Sequence, residues 1–168
     1  MVIRESILMA TEKIKFKIQL YATMWNRPPI AEVLINDHQY FHGQIFGTKD
    51  DPNIIEFEHE FEEGKDNSLV IKRTGKIPKE TVAGVDGKVI KDQLLHIKTI
   101  DMDKIDIGVL VYHGVFTPSY PEPWATQQRA AGVDLPVSLD KCVDMGHNGV
   151  WRFTFQSPFY MWFLDNLY

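Results

Sequence analysis

Asp101, Asp103 and Asp106 stand close enough in sequence to offer oxygen ligands to a hard cation such as calcium. Counted from Asp101, the spacing resembles a calcium loop, but the glycine and the closing glutamate of such a loop are missing from their places. The plainer account is charge placed on a strand edge, where it discourages edge-to-edge pairing. His38 and His42 are four apart, a zinc-binding interval on a helix, yet Gln39 stands where the helical metalloprotease pattern needs Glu. Cys142 and His147 could meet as nucleophile and base, although a lone cysteine usually behaves as a small buried hydrophobe. No glycine-rich phosphate loop follows a strand. With 23 acidic residues, candidate carboxylate pairs for glycoside hydrolysis carry no information. The chain therefore reads as a non-enzyme.

A different chemistry is offered by aromatic residues at strand ends and in loops: Trp25, Tyr40, Tyr112, Tyr120 and Trp124, near Asn26, Asp37, His38 and His113. Flat rings beside hydrogen-bonding groups suit sugars, which present an apolar face and hydroxyl edges. The competing role for such rings is to cap the open ends of a core. The candidate ligand-binding residues are Tyr120, Trp124, Tyr112, His113, Trp25 and Asp37.

These residues must be held by strands. Ile14, Phe16, Ile18, Leu20, Ala22 and Met24 alternate with Lys13, Lys15, Lys17 and Gln19, the period of a half-buried strand. Asn26-Arg27-Pro28-Pro29 ends it, since proline cannot donate to a ladder. Further strands are expected over Ile30–Ile35 and Tyr40–Phe46. Ile55, Phe57, His59 and Phe61 alternate with glutamates, and a hairpin turn leads to Ser68–Arg73, with Leu69 and Ile71 inward. Thr74–Asp92 is an excursion with a tight Asp86-Gly87 turn. Leu94–Met102, Ile105–Tyr112 and Trp151–Phe155 complete the strands. The expected fold is mostly β, an antiparallel, jelly-roll-like β-sandwich with one or two short helices in the C-terminal third.

Residues 1–115 are expected to form the sandwich core. Residues 116–168 form a C-terminal extension packed on the same domain: a proline-rich loop, a short helix over Pro123–Ala131, the final strand and an aromatic helix. Ser157-Pro158 is a suitable helix opening, with Ser as the cap. From Phe159 to Tyr168 nearly every residue is apolar, and a helix without a polar face must be covered all round. Trp162, Phe163 and Tyr168 are therefore expected to form an interface for self-association or docking on a larger assembly.

Composition narrows the partners. At 168 residues, 44% hydrophobic and 12% aromatic, the chain can form one packed domain burying roughly 70% of its unfolded surface. The net charge of −5 and the absence of a dense Lys/Arg cluster argue against nucleic acid. A single cysteine forbids an intramolecular disulfide. MVIRESILMA lacks the apolar run of a signal peptide, and no stretch of about 18 apolar residues marks a membrane helix. The expectation is a soluble protein made in the cytoplasm.

The Ile35-Asn36-Asp37 turn, the Phe57–Phe61 strand, the Glu62-Glu63-Gly64 turn, Leu69-Val70-Ile71 and Ile97–Ile107 follow one another in an order similar to the β-sandwich of calcium-dependent xylan-binding carbohydrate modules. That resemblance spans roughly residues 12 to 112 and implies a carbohydrate partner, with calcium as candidate cofactor and Asp101, Asp103 and Asp106 as nearest candidate ligands. Those modules lack the segment after residue 115. Tyr120-Pro121-Glu122-Pro123-Trp124 and Ser157-Pro158-Phe159-Tyr160 also resemble small uncharacterised proteins of contractile-tailed marine cyanophages. That likeness implies the alternative of a virion structural or accessory protein docking through its aromatic C-terminus.

Overall fold

A computed structural model describes residues 10–167. The first sheet is built on β1 (Thr11–Thr23), which pairs antiparallel with β4 (Asn53–Glu62) on one side and β8 (Leu94–Met102) on the other. β12 (Asp144–Met145) adds outside β8, and β9 (Ile105–Asp106) folds back on the end of β8. The second sheet runs β11 (Leu139–Asp140), β10 (Val115–Pro118), β13 (Gly149–Gln156), β5 (Asp66–Thr74), β2 (Ile30–Ile35), β3 (His38–Gln44). The two sheets face each other as an antiparallel β-sandwich. β13 is hydrogen-bonded on both sides, so residues from the last third of the chain form a central strand.

Alternation explains the pairing. On β1, Ile14, Phe16, Ile18 and Leu20 are buried, and each contributes roughly 1.5–3 kcal/mol. Their outward neighbours Lys13, Lys15 and Lys17 stand opposite Glu60, Glu58 and Glu56 of β4, opposite charges in register. Lys15 and Glu58 approach to 3.5 Å. On β5, Leu69, Ile71 and Arg73 share the inward face with Asn67, and Leu69, Ile71 and Arg73 are wholly buried.

At one end of the sandwich the core closes with rings. Phe16 packs on Phe57, Phe61 and Phe155 with centroids 4.9, 6.1 and 6.3 Å away, and Tyr40 stacks on Phe57 at 4.2 Å. α2 (Phe159–Asn166) lies over β13 here. The serine expected to cap α2 does not do so. Instead Glu12 of β1 accepts from the Phe159 N–H at 2.6 Å and from the Ser157 hydroxyl at 2.7 Å. A carboxylate suits a helix N-terminus, where free N–H groups carry partial positive charge.

The strand expected over Ile105–Tyr112 is cut short. Only Ile105 and Asp106 pair, and Gly108–His113 forms a 3-10 helix. Asp106 accepts the Gly108 N–H at 2.8 Å, and Gly108 takes φ 57°, a left-handed conformation that glycine adopts without strain. The excursion 74–92 holds the 3-10 turn Pro78–Glu80 and a two-stranded hairpin of β6 (Val82–Ala83) and β7 (Val89–Lys91). α1 (Trp124–Ala130) follows the proline-rich loop. Among the described residues no helix is long and apolar enough to cross a membrane.

Candidate functional site

At the other end of the sandwich the inward face of β5 delivers a guanidinium into the core. Arg73 has no exposed surface, and its Nη2 donates to the Gln93 carbonyl at 2.6 Å and to Gln93 Oε1 at 2.7 Å, while Nη1 donates to the Met145 carbonyl. Gln93 in turn donates to Glu80 Oε2 at 2.6 Å and to the Arg27 carbonyl at 3.0 Å. Glu80, fully buried, pairs with Arg27 at 2.7 Å and accepts the Ile77 N–H at 2.9 Å. Burial alone would raise the Glu80 pKa. The Arg27 and Ile77 hydrogen bonds and the Arg27 charge outweigh it and hold the group below the ordinary carboxylate range.

This network makes one wall of a cleft. Lys76, Ile77, Pro78 and Thr81 line that side, and Ser119, Pro121, Trp124, His147 and Asn148 line the other, around about 110 Å³. The walls are tied together: the Lys76 N–H donates to Asn148 Oδ1 at 2.9 Å, and Asn148 Nδ2 returns a bond to the Lys76 carbonyl at 3.0 Å. Lys76 Nζ donates to Asp92 at 2.6 Å and to the Gly146 carbonyl at 2.5 Å. Burial pulls the Lys76 pKa down against the hydrogen bond and charge of Asp92. Asp92 also accepts from Thr81 and from the Gln93 N–H.

Two rings, Trp124 and His147, line the cleft with these polar groups, and Tyr120 packs against both. Tyr120 meets His147 edge-on at 5.0 Å, Trp124 lies 5.6 Å from His147, and Tyr120 and Trp124 are 6.2 Å apart. The Tyr120 hydroxyl donates to the Pro136 carbonyl at 2.6 Å, which fixes the ring. Burial, followed by the charge of Lys76, lowers the His147 pKa, so the imidazole is neutral at physiological pH.

Of the residues that sequence pointed to, Trp124 lines the cleft and Tyr120 packs beside it without lining it. Trp25 acts one step back: its indole donates to the Glu80 carbonyl at 2.9 Å, bracing the turn behind the cleft wall, and Lys91 covers its ring at 4.9 Å. Asp37 sits in the β2–β3 turn beyond the Ile35–Leu69 pair, whereas the cleft lies beyond Arg73. At about 3.3 Å per strand residue, that separates Asp37 from the cleft by roughly 20 Å. Tyr112 and His113 are exposed in the 3-10 helix that enters β10 at Val115, while the cleft opens past its far end at Pro118.

The aspartates do not converge on a cation site. Asp103 accepts the Lys15 N–H at 2.8 Å, Asp106 caps Gly108, and Asp101 stands opposite Asp106 across the β8–β9 pair. Among the described residues no three His, Cys, Asp or Glu side chains form a group that could hold a metal ion. The residues expected to form an interface lie on and beyond α2. Trp162 and Phe163 pack inward, Trp162 edge-on to Phe153 at 5.6 Å and Phe163 against Phe159 at 5.8 Å. Tyr160, Met161, Leu164 and Leu167 face outward instead, because the anchor at Glu12 sets the rotation of α2. Tyr168 lies outside the described residues.

Lys76, Thr81, Ser119 and Asn148 were not singled out by sequence, and His147 only as a partner for Cys142. Cys142 instead donates to the Asp144 carbonyl at 3.3 Å, and burial raises its pKa. A second unforeseen group is a ladder across the outer face of the first sheet. His96 bonds Thr23 at 2.8 Å and Asp144 at 2.7 Å while stacked on Tyr21 at 4.4 Å, tying short β12 to β8 and β1.

The fold and site thus define a β-sandwich with an aromatic-walled, polar-floored cleft at one end. No family model and no curated protein matches the chain. Two solved structures are similar to it. One is the selenomethionine form of vCBM60, described with a circular permutation linking two families of calcium-dependent carbohydrate-binding modules; it is 6% identical over 83% of this chain and 89% of that one, with a TM-score of 0.48. The other is vCBM60 in complex with galactobiose, 7% identical over 83% of this chain and 96% of that one, with a TM-score of 0.46. The likeness to phage proteins finds no support in these comparisons.

Proposed function

We propose that the protein binds carbohydrate, without chemical conversion, in the cleft between Trp124, His147 and Lys76. The observation that carries this reading is the grouping of the Trp124 and His147 rings, with Tyr120 packed against both, beside Lys76, Thr81, Ser119 and Asn148 in one cleft. A ring face takes the apolar C–H side of a sugar, and hydroxyl, amide and ammonium groups take its hydroxyl edge. The cleft is small, so it suits one terminal sugar residue more than the middle of a long chain. Half-buried Trp124 offers a contact surface that truncation can remove without opening a core cavity.

Calcium dependence is tested alongside the sugar, and none is expected, since no three His, Cys, Asp or Glu side chains among the described residues form a group that could hold the ion. A glycan array run on the wild-type chain and on Trp124→Ala, each with calcium and with chelator, tests both parts. Wild-type signal on a defined group of glycans, lost in the folded variant, is the expected result. Equal signal from the two proteins removes the cleft from the account. No signal from either removes carbohydrate.

A further inference from the structure

The cleft is built over a charge that its own network does not balance. Arg27 pairs with Glu80, and Lys76 pairs with Asp92. Arg73 donates only to neutral acceptors, the Met145 carbonyl and the carbonyl and side-chain oxygen of Gln93. No carboxylate among the described residues contacts Arg73, and its Nε has no hydrogen-bond partner. The network therefore carries one positive charge in excess, on a side chain with no exposed surface. Burial lowers the Arg73 pKa to about 10, so the group is still charged at neutral pH. Taking such an ion out of water is costly in general, and a neighbouring anion offsets part of that cost.

The segment between that charge and the cleft is continuous. The Met145 carbonyl accepts from Arg73, the Gly146 carbonyl accepts from Lys76, and His147 and Asn148 line the cleft itself. The lining is rich in donors. Lys76 has three N–H groups, of which Asp92 and Gly146 take two. The Ser119 hydroxyl and the Trp124 indole N–H have no partner among the described residues. The carboxylate of Glu122, which follows the lining residue Pro121, is engaged by the Thr126 N–H at 3.0 Å and by the Thr126 hydroxyl.

Resting on the carbohydrate reading of the same cleft, we infer that its ligand is an acidic saccharide, whose anionic group is received by Lys76 and Ser119 in the field of Arg73 while its ring lies against Trp124. A hydrogen bond between ionised partners is about twice as strong as a neutral one, and a low-dielectric surround strengthens it further. A uronate carboxylate and a sulfate ester share this chemistry.

The test uses the wild-type chain and three probes: galactobiose, digalacturonate and a sulfated galactobiose. Affinity is measured by calorimetry, and the Trp124 indole N–H signal in an NMR titration locates each ligand. The expected result is that at least one acidic probe binds about tenfold tighter than galactobiose, on the scale of one charge-assisted contact. That preference should shrink as salt is raised, with the Trp124 signal moving throughout. The tighter of the two acidic probes identifies the anionic group. Equal affinity for all three, with Trp124 shifting, overturns the acidic preference and leaves a neutral-sugar site. No shift of Trp124 with any probe overturns the carbohydrate reading and this inference with it.

Discussion

The two ends of the sandwich are closed by opposite means. Beyond Asp66 and Gln156 the core ends in rings: Phe16, Phe57, Phe61, Phe155 and Phe159, with Trp162 and Phe163 of α2 laid over them. Beyond Arg73 and Gly149 it ends in buried Arg73, Glu80 and Gln93, held by directed hydrogen bonds. Packing tolerates no vacancy and leaves no site. Directed bonds hold walls apart, and a cleft survives between them. A buried polar network is also sensitive to the loss of any member, because each unpaired group keeps its full desolvation cost.

The largest expected effect falls at the ring end. Phe155→Ala opens a cavity against Phe16, Phe61, Phe153 and Phe159 and should cost about 3–5 kcal/mol in equilibrium denaturation. Sugar affinity measured below the new midpoint should stay within about twofold, as expected for sites without shared partners. An equal loss of affinity would show that the two ends are one unit.

Glu80→Ala should do less to stability, about 1–3 kcal/mol, because it strands the Ile77 N–H and the Gln93 amide. It should also weaken sugar binding, since the Ile77–Thr81 wall loses its anchor. A variant that is destabilised yet binds as wild type would detach the network from the site. Trp124→Ala is the converse case: about 1–2 kcal/mol of binding lost by calorimetry, with the melting temperature nearly unchanged. If it unfolds the chain, the ring belongs to the core.

Acid separates the ends more gently. Hydrogen bonds and nearby cations hold both Glu80 and Asp92 below their ordinary pKa, against the opposing effect of burial. Each thus contributes stability that is complete above the ordinary carboxylate range, about pH 4, and is lost as pH falls towards the depressed folded values. Chemical denaturation across that window should show wild type losing stability more steeply than Glu80→Gln. Parallel curves would mean that the pairing contributes nothing. The smallest effect is expected from calcium. Asp101 lies seven residues along β8 from Leu94 at the cleft end, roughly 20 Å away. Millimolar calcium should leave both the melting temperature and cleft affinity unchanged; a rise that Asp101→Asn abolishes would place a cation at the β8–β9 pair.

Much of the scaffold was legible because its signals are local. Lysines on alternate positions of residues 13–17 and glutamates on alternate positions of 56–62 announce two strands, and their opposite charges match in the register found. The loop from Tyr120 to Trp124 stood out through its prolines and rings, and of the two aromatics Trp124 lines the cleft while Tyr120 packs against it. Arg73 shares the period of Leu69 and Ile71, so its inward aim was implicit in the alternation, though a buried arginine contradicts the usual expectation for that residue.

What sequence alone determined is therefore the set of strands, the faces they bury and the loop that carries two of the rings, since backbone geometry imposes a period of two wherever a strand is half covered. Tertiary structure alone decided which residues meet. Lys76 and Asn148 are 72 positions apart and touch because β5 and β13 pair with Arg73 opposite Gly149, a register that hydrogen bonding and the shared core select together. The rotation of α2 was decided in the same way. A helix apolar on every side has no preferred face until Glu12 and the Phe153 and Phe155 rings supply one.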